Sequence, residues 1–122
     1  MLFRSLLPRL SPGGAIVASV PNFGHWYPRL RTLLGLFDYD RRGILDRTHV
    51  RFFTRRSFER LARDAGCTVT RIGTTGLPFD VADRGGNGSL SRRLRAVAAV
   101  DRGLVRLRPQ LFGYQFLYEL KR

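Results

Sequence analysis

Between Arg55 and Ala65 the apolar residues recur at helical spacing. Successive residues on a helix turn by about 100°, so Phe58, Leu61, Ala62 and Ala65 share one stripe, and Arg55, Arg56, Arg60 and Arg63 take the other side. The pattern predicts a core-facing helix with a solvated basic face. Thr54 can cap its start, Gly66 can end it, and Glu59–Arg63 and Arg60–Asp64 have the i,i+4 spacing of ion pairs. Ala15 to Val20 is a nearly unbroken apolar run behind the turn signal Pro12-Gly13-Gly14, which predicts a strand covered on both faces, as in a parallel sheet.

Weaker periodicities fill in the rest. Leu30, Leu33, Leu34 and Phe37 predict a short helix over Pro28–Phe37, placed to cover a pocket. Asp38 to Asp46 reads as a polar turn region, and Val50 to Phe53 as an extended piece leading to the Thr54 cap. Thr68 to Ile72 reads as a strand, and Thr74 to Gly88, with Pro78 and four glycines, as a Gly/Pro-rich loop. Leu90, Leu94, Val97, Ala98 and Val105 share one arc of a helix over Ser89–Leu107, weakened by Asp101 and Gly103. Tyr114, Phe116, Tyr118 and Leu120 alternate with Gln115, Leu117 and Glu119, predicting a strand over Tyr114–Leu120. The amino-terminal segment reads as the end of a helix packed on the sheet, with Leu2, Phe3, Leu6, Leu7 and Leu10 on one side.

Composition narrows the class. The 122 residues are 43% hydrophobic, enough for one domain with a core. Lys and Arg number 22 against 9 acidic residues, a formal charge of +13. Residues 41–63 hold eight Arg and two acids, and residues 84–108 hold seven Arg and one acid. Basic stretches of this kind can bind nucleic acid or an anionic surface. The helical phase of the arginines instead favours a solvated face, and neither an aromatic-rich nucleic-acid signature nor a zinc-finger spacing accompanies them. The single Cys67 cannot form an internal disulfide and reads as a core thiol. The expected location is cytoplasmic: no apolar run approaches the length needed to cross a bilayer, and Arg4, Pro8 and Arg9 break the amino-terminal leucines.

Three segments occur in a telling order: SPGGAIVASVPNFGHW (Ser11–Trp26), LDRTHVRFFT (Leu45–Thr54) with the helix ending at Ala65-Gly66, and the terminal FGYQFLYEL. In that order they resemble the carboxyl-terminal half of class I S-adenosylmethionine-dependent methyltransferases. The resemblance implies an α/β fold, an incomplete Rossmann-like methyltransferase sheet of about three strands, the last antiparallel, with about three to four helices. It extends the last strand to Phe112–Leu120. Residues 1–122 would then be the substrate-side half of a methyltransferase-like domain. The cofactor it implies is S-adenosylmethionine. The family's glycine-rich cofactor turn follows its first strand, whereas Gly85-Gly86-Asn87-Gly88 follows Asp80–Arg84 and lacks that context. No cofactor-binding residue is therefore assigned, and the chain alone is expected not to bind S-adenosylmethionine.

Ligands of open α/β sheets sit beyond the carboxyl ends of the strands, so Asn22, His25 and Trp26, with Asp46 and Arg47, are the candidate substrate-binding residues. His49 is the candidate general base, since an imidazole near neutral pKa can take a proton as a methyl group transfers. His49 can equally tie a turn, His25 can stack on Trp26 or cap one, and Asp46-Arg47 can be a structural turn. Two histidines and one cysteine show no metal-site spacing. The expected activity is methyl transfer to a small-molecule acceptor if the cofactor half is supplied. The alternatives are a non-enzymatic basic module for nucleic acid, an anionic surface or an acidic protein, or a chain that pairs through a free strand edge, with a missing amino-terminal half or a second copy.

Overall fold

Phe116, Tyr118 and Leu120 stand two residues apart, so an extended chain presents all three on one face, and each is at most 1% exposed. In the computed structural model, which describes residues 5–78 and 92–122, they lie on β3 (Gln115–Lys121), the middle strand of a three-stranded sheet. β1 (Ile16–Pro21) pairs with it antiparallel, Val20 opposite Phe116 and Ile16 opposite Leu120. β2 (Thr68–Thr75) pairs antiparallel on the other side, with a register shift between Val69 and Arg71. Thus β1 and β2 run the same way, separated by the strand that comes last in the chain.

Four helices complete a mixed α/β architecture among the described residues: α1 (Trp26–Leu33), α2 (Arg55–Asp64), α3 (Arg92–Leu107) and α4 (Pro109–Phe112). At the start of α2 the Thr54 hydroxyl accepts from the Ser57 N–H and the Ser57 hydroxyl accepts from the Thr54 N–H, a reciprocal capping box. At its end Gly66 adopts φ +85°. The Gly66 N–H then reaches the Arg63 carbonyl and the Cys67 N–H the Ala62 carbonyl. The stripe of α2 covers one face of the sheet, with Phe58 and Tyr118 ring centroids 4.5 Å apart. Val20, Phe58, Ala62, Cys67, Phe116, Tyr118 and Leu120 form the core.

Several expectations are corrected. β1 is covered on one face only: its burial alternates, and Val17 is 77% exposed. The physical reason is that α2 lies on the face of Ile16, Ala18 and Val20, while the opposite face, with Val17 and Leu117, stays open among the described residues. Glu59 pairs with Arg55 at 2.8 Å rather than with Arg63, turning toward the positive end of the helix dipole. No Arg60–Asp64 pair forms among the described residues. Helix α1 stops at Leu33, not Phe37, because Gly35 at φ +71° closes it, with the Leu36 N–H on the Arg31 carbonyl. β2 runs on through Thr75, so the loop begins later, and much of the Gly/Pro-rich segment lies outside the described residues.

Phe112 belongs not to the last strand but to α4, which Pro109 opens and Gly113 ends. On α3, Ala98 and Val105 are buried but Val97 is 51% exposed. Asp101 occupies the inner stripe in its place and accepts the Leu77 N–H at 3.1 Å, holding the segment that leaves β2. Ser5 and Leu6 are helical and Leu7–Arg9 follow as a 3-10 turn containing Pro8, so a helix ends here as expected, with Leu7 packed on the core; Leu2 and Phe3 fall outside the described residues.

Candidate functional site

Beyond β1 the chain must turn, and Asn22 makes the turn. Its amide donates to the Gln110 carbonyl at 2.9 Å and to the Gly113 carbonyl at 2.7 Å, and its side-chain oxygen accepts the Gly24 N–H at 2.9 Å. At 1% exposure these bonds make Asn22 a staple between the end of β1 and the α4–β3 turn, where sequence had placed a substrate contact. His25 is also buried, at 1% exposure. Its Nδ1 accepts the Tyr27 N–H at 3.2 Å, capping α1, so the neutral ring carries its proton on Nε2. Among the described residues no partner lies within hydrogen-bonding geometry of Nε2, the Phe112 carbonyl acting on the ring only as a weaker electrostatic neighbour. Burial pushes the His25 pKa below its ordinary value, against the opposing influence of Asp101 and the Phe112 carbonyl. Trp26, 40% exposed and 5.4 Å from the His25 ring, is the member of this turn that a ligand can meet.

The second loop is built on Asp46. One of its carboxylate oxygens accepts both the Thr48 N–H and the Thr48 hydroxyl at 2.8 Å, and these bonds hold its pKa below the usual carboxylate range. Arg47 is exposed beside it. His49 is half-buried: its N–H reaches the Asp46 carbonyl, and Nδ1 lies 3.3 Å from the Ile44 carbonyl. A ring that donates from Nδ1 keeps its lone pair on Nε2, the form a general base needs.

The structure brings the two loops together through contacts the sequence reading did not anticipate. Phe53 forms a parallel bridge with Asn22, and the Phe23 N–H reaches the Phe53 carbonyl at 2.9 Å. Phe23 packs on Phe52 with centroids 5.1 Å apart and on Phe37 at 6.3 Å, while Phe52 meets His49 at 6.5 Å and Tyr39 at 6.2 Å. Arg31 bonds Asp40 at 2.7 Å, the Tyr27 hydroxyl at 3.0 Å and the Leu36 carbonyl at 3.2 Å, fastening α1 to the loop after it. Tyr114, read as a strand residue, stands at this junction, its hydroxyl facing Gly43 and its pKa raised by burial and by the charges of Asp40 and Asp46. The density of aromatics at Phe23, Phe37, Tyr39 and Phe52 was the one available signal for this cluster.

A cleft of about 680 Å³ opens elsewhere, along β1 and α2, lined by apolar groups including Ile16, Ala18, Val20, Phe53, Phe58 and Leu61. None of Asn22, His25, Trp26, Asp46, Arg47 or His49 lines it. It follows the outer edge of β1. The Asn22 N–H bonds the Tyr114 carbonyl, so by antiparallel alternation Ile16, Ala18 and Val20 direct their backbone groups to β3 and Val17 and Ser19 direct theirs outward.

No described turn fits S-adenosylmethionine as the resemblance requires. The turn after β1 is filled by the Asn22 side chain, and Gly85–Gly88 lies outside the described residues. No group of three His, Cys, Asp or Glu side chains could hold a metal ion among the described residues, nor is any described helix long and apolar enough to cross a membrane. Comparison with protein-family models yields no match, and comparison with curated proteins yields none either.

Proposed function

We propose that this chain is the substrate-side part of an S-adenosylmethionine-dependent methyltransferase-like domain that acts on a small-molecule acceptor. The observation that carries the reading is the strand arrangement. The chain's last strand runs antiparallel between two strands that share one direction, and the candidate loops gather beyond the carboxyl end of β1. The apolar cleft along the outward-facing edge of β1 adds support, since a strand within a larger Rossmann-like sheet leaves such an edge for its neighbour. The cofactor half, in this reading, is supplied by groups beyond the described residues. In this reading Trp26 and Arg47 face the acceptor, His49 takes its proton, and Asn22, His25 and Asp46 set the shape of the loops.

Calorimetry of the 122-residue chain with S-adenosylmethionine should show no saturable heat; saturable micromolar binding would overturn the division of labour. Fusion to a glycine-rich methyltransferase half should protect the Val17 and Ser19 amides from hydrogen exchange and bring activity. In that fusion His49→Gln should lower turnover by about ten-fold or more if His49 is the base. Activity equal to the parent's from about pH 6 to 9 would reduce His49 to a turn-former.

A further inference from the structure

From Trp26 to Tyr39 the lobe after β1 turns most of its large apolar side chains outward, while Ile44 and Leu45 farther along are buried. Of α1 only Pro28 is buried, while Leu33 is 83% exposed and Leu34 62%. Leu30, Leu36 and Phe37 are about half-exposed, and Trp26 and Tyr39 flank them in the chain. This is a built feature. Gly35 closes α1, and Arg31 grips the Leu36 carbonyl, the Tyr27 hydroxyl and Asp40, so the turn that carries the leucines is fixed from within. Arg41 and Arg42 follow immediately, and Arg47 and Arg51 are exposed nearby in the chain. None of these four pairs with a carboxylate among the described residues.

We infer that this lobe docks on an anionic lipid bilayer, with Leu33, Leu34, Leu36 and Phe37 entering the interface and Arg41 and Arg42 meeting the headgroups. A contiguous exposed apolar patch marks an interaction site. What identifies the partner is the combination, along one stretch of chain, of exposed leucines with an exposed aromatic before and after them and exposed arginines following. Interfacial binding uses all three, burying the aliphatic groups, seating Trp and Tyr at headgroup level and pairing Arg with anionic lipid. Nucleic acid would use the arginines and rings but leave the leucines in water. The inference stands independently of any methyltransferase activity.

The test uses the whole chain with vesicles of phosphatidylcholine alone and of phosphatidylcholine with phosphatidylserine. Trp26 is the only tryptophan, so its emission reports on the lobe. Sedimentation with the phosphatidylserine vesicles is expected, weakened by salt and accompanied by a blue shift of Trp26 emission. The double variant Leu33→Glu, Leu34→Glu should lose about ten-fold or more in affinity together with the shift. Both positions are exposed, so its far-UV spectrum and melting should stay as the parent's. Arg41→Glu with Arg42→Glu should cost about five-fold per position while keeping the shift at saturation. Sedimentation that does not depend on lipid, binding without a Trp26 shift, binding that survives the leucine variant, or preference for an RNA oligonucleotide in direct competition with the vesicles would each overturn it.

Discussion

The sheet with α2 and the stretch of the lobe from Trp26 to Tyr39 are both rich in large apolar side chains, yet one buries them and the other displays them; only farther along the lobe, at Ile44 and Leu45, are they buried again. In the sheet the two-residue period of β3 and the helical stripe of α2 face each other, so Phe58, Tyr118 and Leu120 close on one another. In the lobe, α1 offers only Pro28 to the interior, and the loop after it is held by Arg31, Tyr27 and Asp40, polar groups that fix its path without covering its leucines. Hydrophobic content alone does not make a core. It takes two periodic faces brought into register, and the lobe has one.

The contrast breaks most sharply by truncation. Phe58→Ala should cost about 3–5 kcal/mol of unfolding free energy through the cavity it leaves, whereas Leu33→Ala, in solvent, should stay within about 0.5 kcal/mol. Urea titration of both variants checks this, and a Leu33→Ala cost comparable to Phe58→Ala would mean that the lobe has a hidden partner in the core.

Asn22→Ala tests the staple between the two regions. It leaves a buried N–H and two carbonyls without their partner, so a loss of about 2–3 kcal/mol is expected, read from the same titrations. Hydrogen exchange should quicken at Gly24 and in α1 more than in α2.

The pH response sharpens the comparison further, because the lobe starts on a buried histidine. The folded pKa of His25 is lowered by burial, so the unfolded chain binds the proton more readily. The group's contribution is present above the unfolded value, about 6.5, and is lost as pH falls below it. The urea midpoint should therefore fall between about pH 7.5 and 5.5, and His25→Asn, which keeps an N-cap acceptor, should flatten that fall. An unchanged slope would assign the response to other groups.

The smallest effect belongs to Tyr118, whose hydroxyl is buried without a hydrogen-bond partner among the described residues and whose pKa is pushed up to about 12, chiefly by burial. Removing it by Tyr118→Phe should leave stability unchanged or raise it by up to about 1 kcal/mol. A clear loss in thermal melts would reveal a partner for that oxygen.

What the sequence made legible follows the same division. The α2 cap at Thr54, its stop at Gly66 and the alternation of β3 are local signals, and all three appear where the pattern put them. The helix α4 was missed because one turn after Pro109 is too short to show a period, and Phe112-Gly113-Tyr114 looked extended. Leu30, Leu33 and Leu34 gave a helical period, but periodicity does not say whether anything lies against the stripe. At the site, the loop chemistry of Asn22, His25 and Asp46 was visible as residue types. That Asn22 reaches Gly113 and that Phe23 reaches Phe52 are non-local facts, set by the sheet and not by neighbours in sequence.

The position of β3 has a kinetic consequence. β1 and β2 do not pair with each other; among the described residues each pairs with Gln115–Lys121, with roughly a hundred residues between the first strand and that partner and about forty between the second and it. While the chain is being synthesised, β1 and β2 wait as solitary extended segments, and Asn22 has no carbonyls to grip. The sheet must then form in one late step of high contact order, which is slow by the physics of loop closure. Any event that delays those seven residues leaves the apolar β1 and the more polar β2 with unpaired edges, and the outcome turns on whether β3 arrives before another chain does.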